Sequence, residues 1–339
     1  MKKLFFMAIV MAVVSSCSGK EEVTGNTPEP QGQTVTVSFT GDQSPSLRAQ
    51  GINIVQAEEW EKELKSITIL AFKENGQCVL RRNFTPAEVA ERTATITVPN
   101  VLPGEPVKFY AVANFTLPAT IKDLSQLEAL QDNNFIAGYN SYSYETVAHQ
   151  AIQGSFPMSG QTSKVMAEAG QITPVSITLK RHVAKIRVKV NVTGEFHRRY
   201  SRQLKMDNVF LLNSSRRSWL FERGFGIDER NQVLPQIPFD AGNESWQSLF
   251  YVFENDERKA GDRVTLEIRC RYDINGKPED VTYQNYDVEL DIDPLGGGII
   301  RRNCYYFIEV NINGLVEGVQ LSATSAGWES PSGGTNDGE

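Results

Sequence analysis

The chain has 339 residues, which at roughly 100 to 200 residues per domain argues for two domains. Hydrophobic residues at 40% supply folded cores and exclude wholesale disorder, while 34 Lys plus Arg against 41 Asp plus Glu exclude a nucleic-acid surface as the main purpose. With 3 His and 4 Cys, little is left for metal chemistry.

Lys2 and Lys3 open the chain, residues 4–14 are apolar, and Ser15 and Ser16 precede Cys17. This pattern predicts an export signal over residues 1–16, too short to remain as a membrane-spanning helix. Val14-Ser15-Ser16-Cys17 also resembles the lipobox of bacterial lipoproteins. That resemblance implies acylation of Cys17 and attachment to the cell outer membrane by lipid alone, with plain cleavage beside an incidental cysteine as the alternative. Residues 17–33 are polar and rich in Gly, Pro and Glu, the composition of a flexible tether.

Then the pattern changes. Val35, Val37 and Phe39 alternate with polar neighbours, the period-two signature of a half-buried strand. Further strands are predicted at 67–72, 93–98, 107–113 and 171–179, with turn signals at Glu74-Asn75-Gly76 and Leu102-Pro103-Gly104. Short helical excursions are expected at 57–64 and 121–130, where Leu124, Leu127 and Leu130 recur at threes. A second series runs through 183–192, 209–212, 249–253, 264–272, 283–292, 304–312 and 319–323, with Asp273-Ile274-Asn275-Gly276 as a hairpin turn. The expected fold is all-β: two β-sandwich domains in tandem over 34–181 and 182–328, then a disordered tail over 329–339.

Chemistry is sparse. His149, His182 and His197 lack partners at ligand or triad spacing and read as surface or loop residues. Neither a nucleophile elbow nor a P-loop occurs, Gly296-Gly297-Gly298 reads as a turn, and the Gly after Asp273 falls too early for an EF-hand. The expectation is therefore no catalytic residue, no cofactor and no metal. Outside the lipobox the thiols are Cys78, Cys270 and Cys304; Cys270 and Cys304, on two candidate adjacent strands, either pair or stay buried and free. Arg198, Arg199, Arg202, Arg216 and Arg217 either face an acidic partner or simply solvate two loops.

Several phrases carry a positive resemblance: Phe109-Tyr110-Ala111-Val112-Ala113-Asn114, Phe156-Pro157-Met158-Ser159-Gly160, Leu179-Lys180-Arg181-His182-Val183-Ala184-Lys185-Ile186, Tyr251-Val252-Phe253-Glu254-Asn255, Arg302-Asn303-Cys304-Tyr305-Tyr306 and Trp328. In this order, with a lipobox, the chain resembles the fimbrillin superfamily of Bacteroidetes, the subunits of type V pili. The resemblance implies transthyretin-like sandwiches, head-to-tail partnership with other pilin subunits, and a surface fimbrium. It also implies removal of lipid and first strand by an arginine-specific protease, for which Leu47-Arg48-Ala49 is the expected site and an ordinary loop arginine the alternative. Loss of Val35, Val37 and Phe39 would open a groove for a donated strand, with Val319, Leu321 and Ala323 as the expected donor. A stalk or simple tip subunit, contacting a host or bacterial surface ligand, is the first reading. A lipid-retained anchor is the second, and a surface glycan-binding lipoprotein, using Trp219, Trp246, Tyr139, Tyr142 and Tyr144, is the third.

Overall fold

The structure, a computed structural model, describes residues 32–40, 54–132, 155–223, 230–233, 245–255, 262–275, 277, 280–290, 299–316 and 318–328. Its first ten strands are β1 (Gln33–Thr40), β2 (Ile54–Val55), β3 (Ile67–Lys73), β4 (Cys78–Asn83), β5 (Thr93–Val98), β6 (Pro106–Ala113), β7 (Gln131–Asp132), β8 (Met158–Val165), β9 (Thr173–Thr178) and β10 (Lys180–Arg181). A three-stranded sheet in the order β5-β1-β9 faces a five-stranded sheet in the order β10-β8-β6-β3-β4. Their inward side chains, among them Val35, Ile69, Ile96, Phe109 and Val175, form one core cluster. This is the alternation that period-two patterning requires of a sandwich.

β3 is an exception, buried on both faces. Ile67, Ile69 and Ala71 enter the sandwich core, whereas Leu70 and Phe72 join Tyr110, Val112, Leu127, Leu220 and Phe221 in a second apolar layer outside it. The cover is the helix Leu124–Glu128, N-capped by Asp123, together with a chain segment from far downstream. Leu127 is fully buried and Leu124 and Leu130 pack at the edge, as the spacing of threes predicts. The helix Pro86–Glu91, absent from the periodicity, is set by a capping box between Thr85 and Glu88 and stopped by Arg92 in the left-handed region.

The remaining strands are β11 (Val183–Val192), β12 (Leu204–Ser215), β13 (Ser218–Trp219), β14 (Arg230–Val233), β15 (Ser245–Phe253), β16 (Thr265–Asp273), β17 (Val281–Glu289), β18 (Cys304–Ile312) and β19 (Val319–Trp328). They make a five-stranded sheet, β15-β11-β18-β19-β2, and a four-stranded sheet, β14-β12-β16-β17, closed over a separate core that includes Ile186, Val209, Phe250, Ile268 and Ile308. β16 and β17 pair antiparallel, and their connection begins at Ile274, inside the hairpin turn that the sequence predicts.

Each sandwich also lends a piece to the other. β2 and the 3-10 turn Glu59–Lys62 reach into the second, where β2 adds to the edge of β19. β13 reaches back to pair with β7. Leu220 and Phe221, just beyond it, complete the outer layer on β3 and β6.

Candidate functional site: first strand, last strand and the junction between them

β1 is the middle strand of its sheet, antiparallel to β5 and parallel to β9. Val35 and Val37 are 0% exposed and Phe39 is 1% exposed, so the strand contributes a full row of the core. Its removal would withdraw about 1.5 to 3 kcal/mol of burial per side chain and unpair both neighbours at once. The slot left behind would be lined by Ala94, Ile96, Val98, Val175 and Ile177.

β19 pairs antiparallel with all nine residues of β18, from Val319 opposite Ile312 to Gly327 opposite Cys304. Val319, Leu321 and Ala323 are half-buried against the second core. The end of the strand is held very differently. Trp328 is 1% exposed, stacked on Tyr251 at 5.9 Å, edge-on to Phe156 at 5.7 Å and covered by the Arg181 guanidinium at 4.0 Å. Its indole N–H donates to Glu61 Oε2 at 3.2 Å.

Glu61 is the hub of this box, and its side chain is fully buried. Its carboxylate takes hydrogen bonds from Lys185 Nζ at 2.6 Å, from the Tyr251 hydroxyl at 2.6 Å and from the Glu58 amide at 2.8 Å. Burial first, and then the Glu61 charge, push the Tyr251 phenol far above its ordinary pKa, so Tyr251 stays a donor. Arg181 donates to the Glu61 carbonyl at 2.9 Å and to Asn303 Oδ1 at 2.9 Å. Asn303, at φ 56°, passes its own amide N–H₂ to the Trp328 carbonyl at 3.2 Å. Asn114, at φ 57°, clamps the neighbouring loop by accepting from the Lys65 amide and donating to the Glu63 and Phe156 carbonyls. Asn tolerates this left-handed conformation far better than β-branched residues do.

A second buried cluster lies beside the first. Arg302 grips Glu254 with two nitrogens, Nε to Oε2 at 2.8 Å and a shorter contact to Oε1, and donates to the Trp219 carbonyl at 2.8 Å. His182, 0% exposed, places Nδ1 3.0 Å from Asp132 Oδ2 and Nε2 3.2 Å from Ser159 Oγ. The constellation has the order of a nucleophile triad, yet Ser159 is buried and hydrogen-bonds the Leu220 carbonyl. Its hydroxyl is tied into the packing of β8 against the downstream segment.

Desolvation holds the His182 pKa below its usual value, against the opposing pull of Asp132. The unfolded chain therefore takes up a proton below pH about 6.5 that the folded chain resists. Stability should be full above that pH and decline as pH falls. Urea unfolding between pH 7.5 and 5.5 is expected to show this slope in the parent and a shallower one in His182→Gln; equal slopes would remove His182 from the account.

The fold has a family counterpart: the model of the fimbrillin-A associated anchor proteins Mfa1 and Mfa2 matches residues 24–330. The chain belongs to that family. Solved structures with the same fold include a candidate cell adhesion protein from Bacteroides eggerthii, at 17% identity and TM-score 0.61, covering 91% of this chain and 99% of that one. A fimbrilin from Porphyromonas gingivalis W83 matches at 13% identity and TM-score 0.52, covering 90% and 98%. The tip fimbrial protein Mfa3 from P. gingivalis matches at 16% identity and TM-score 0.51, covering 87% and 100%. No curated protein matches the chain by sequence. The family model and these neighbours carry the names of fimbrial and cell adhesion proteins.

Within this fimbrillin-family chain, several sequence-based expectations need correction. His182 is wholly buried, not a surface residue, because its partners Asp132 and Ser159 come from strands distant in sequence. Cys270 and Cys304 sit on β16 and β18, which belong to different sheets, and neither they nor Cys78 is joined in a disulfide. Burial in an apolar setting pushes the Cys270 thiol up to about 12. Trp246 is 2% exposed inside the second core, and Trp219 is half-buried under Arg223, so these two do not form a sugar-stacking face. Arg199 is paired with Glu195 on its own helix. Gln33 belongs to β1 rather than to the tether. Cys17, Arg48, Ala49, Tyr139, Tyr142, Tyr144, His149, Gly276, the triple glycine and the tail lie outside the described residues.

Proposed function

We propose that this chain is a stalk or simple tip subunit of a type V-like pilus, built as two domains over 34–181 and 182–328. On this reading it is exported as a lipoprotein through Cys17, cut after Arg48, and polymerised head-to-tail when a neighbour's strand replaces β1. The observation that carries the reading is the position of β1: a central strand with its whole apolar row in the core, joined to the rest of the fold through the stretch that contains Arg48. Losing an edge strand would leave a sheet intact, whereas losing a central strand leaves a slot with unpaired backbone on both sides, which another strand fills.

The donor on this reading is β19, whose Val319, Leu321 and Ala323 present the apolar alternation that such a slot accepts. Arg48→Ala is expected to leave the monomer folded and to abolish heat-resistant ladders on a gel. Ladders that persist with an intact N-terminus would overturn the reading. Cys17→Ser should release the precursor from the membrane fraction, and continued labelling by a fatty-acid analogue would contradict lipidation there.

A second reading, a lipid-retained anchor, is favoured by the grip on Trp328. A subunit whose last strand stays in its own sheet ends a filament rather than extends it.

A further inference from the structure

A cavity of about 340 Å³ opens on the outer face of the sheet formed by β15, β11 and β18, walled on one side by the segment that links β2 to the 3-10 turn. The strand register sets its floor: Lys185 lies opposite Tyr305, and Arg187 lies opposite Leu249, so these four side chains share one face. Gln56 and Glu58 come from the first sandwich's contribution and Gln247 from β15. The cavity thus combines residues from both halves of the chain, and such junctions are a common location for ligand pockets.

Its chemistry is selective. Lys185 is neutralised from below by Glu61 at 2.6 Å, leaving Arg187 and Glu58 as one charge of each sign at the rim. An anion site needs several uncompensated donors and a cation site several convergent carboxylates, and neither is present. One Arg187 N–H already donates to the Gln247 carbonyl and the Trp60 indole N–H to Glu58 Oε2 at 2.8 Å, so the lining offers the remaining Arg187 N–H groups, the glutamine N–H₂ groups, the Gln56 carbonyl and Glu58 Oε1 above a half-buried apolar floor of Leu249 and Tyr305. Hydroxyl groups both donate and accept, and sugar rings carry an apolar C–H face. A peptide strand is poorly served, because the backbone of β11 is already paired on both sides with β15 and β18.

The geometry points to a carbohydrate-binding site in this cavity, with Arg187, Gln247, Gln56 and Glu58 reading hydroxyls and Tyr305 lying under a ring. The site is distinct from the aromatics that the sequence offers for sugar binding. It also does not depend on whether the chain polymerises, so Arg48→Ala should leave it intact.

The test is binding of the purified full chain to an array of immobilised neutral and acidic oligosaccharides, with the strongest neutral binder repeated in solution by calorimetry. Arg187→Ala and Gln247→Ala alter exposed side chains and should keep the parent's thermal unfolding. Each is expected to weaken binding about 5- to 10-fold, the loss of one hydrogen-bonding group. Arg216→Ala, exposed elsewhere, should bind like the parent. Absence of any oligosaccharide binding would overturn the site. So would binding that stays within twofold in both variants, or binding confined to acidic glycans and abolished by salt.

Discussion

Trp328→Ala is expected to cost the unprocessed chain about 3 to 5 kcal/mol, the range for emptying a buried aromatic site. The indole fills a box made by Tyr251, Phe156 and Arg181 and satisfies one position on the buried Glu61 carboxylate. Its loss leaves both a cavity and a less-satisfied charge, and Glu61 and Phe156 belong to the first half of the chain while Tyr251 belongs to the second. Urea unfolding followed by near-ultraviolet circular dichroism would measure the cost. A change below about 0.5 kcal/mol would mean that the box does not hold the last strand in solution. Leu321→Asp should cost less in the same assay, since Leu321 is only half-buried. The last strand is thus held by its ladder with β18 along its length and by a buried box at its end, and a donor role requires both to let go.

Glu254→Ala is expected to cost a comparable 3 to 5 kcal/mol, for a different reason. Arg302 is 5% exposed, and removal of its bidentate partner leaves a guanidinium charge that burial penalises. Combining Glu254→Leu with Arg302→Met removes both charges together and should recover most of the loss, because a buried ion pair offsets little more than its own desolvation. If the double variant is as unstable as the single one, the contribution of this cluster is positional: Arg302 then matters because it holds the Trp219 carbonyl and, with it, the segment that covers the first sandwich.

Strands with one buried face were legible from alternation alone. β11 and β18 fall where the pattern puts them, and the core rows of β1 follow from Val35, Val37 and Phe39. Alternation does not mark β8 as a strand, since Ser159, Gly160, Gln161 and Ser163 break the apolar pattern. Its Gly160 lies where an added Cβ would come within 2.1 Å of the Thr178 carbonyl, so a small residue is required there by close approach. The junction was legible only as recurring phrases without a mechanism. Asn114, Phe156, Arg181, His182, Glu254, Arg302, Asn303 and Trp328 all fall in those phrases, and in the structure they converge on the contact between the two sandwiches. Glu61, Asp132 and Trp60 carried no such signal. The partners of Glu61 at Lys185, Tyr251 and Trp328 are separated from it by 124, 190 and 267 positions, beyond any local pattern.

On the proposed reading β1 is a removable strand in a subunit that polymerises. Sequencing the N-terminus of the protein sheared from the surface of cells tests it most directly. The account predicts a chain that begins at Ala49, without β1 and without lipid. A blocked N-terminus at an acylated Cys17, with β1 still in place, would contradict it and leave the lipid-retained anchor as the reading.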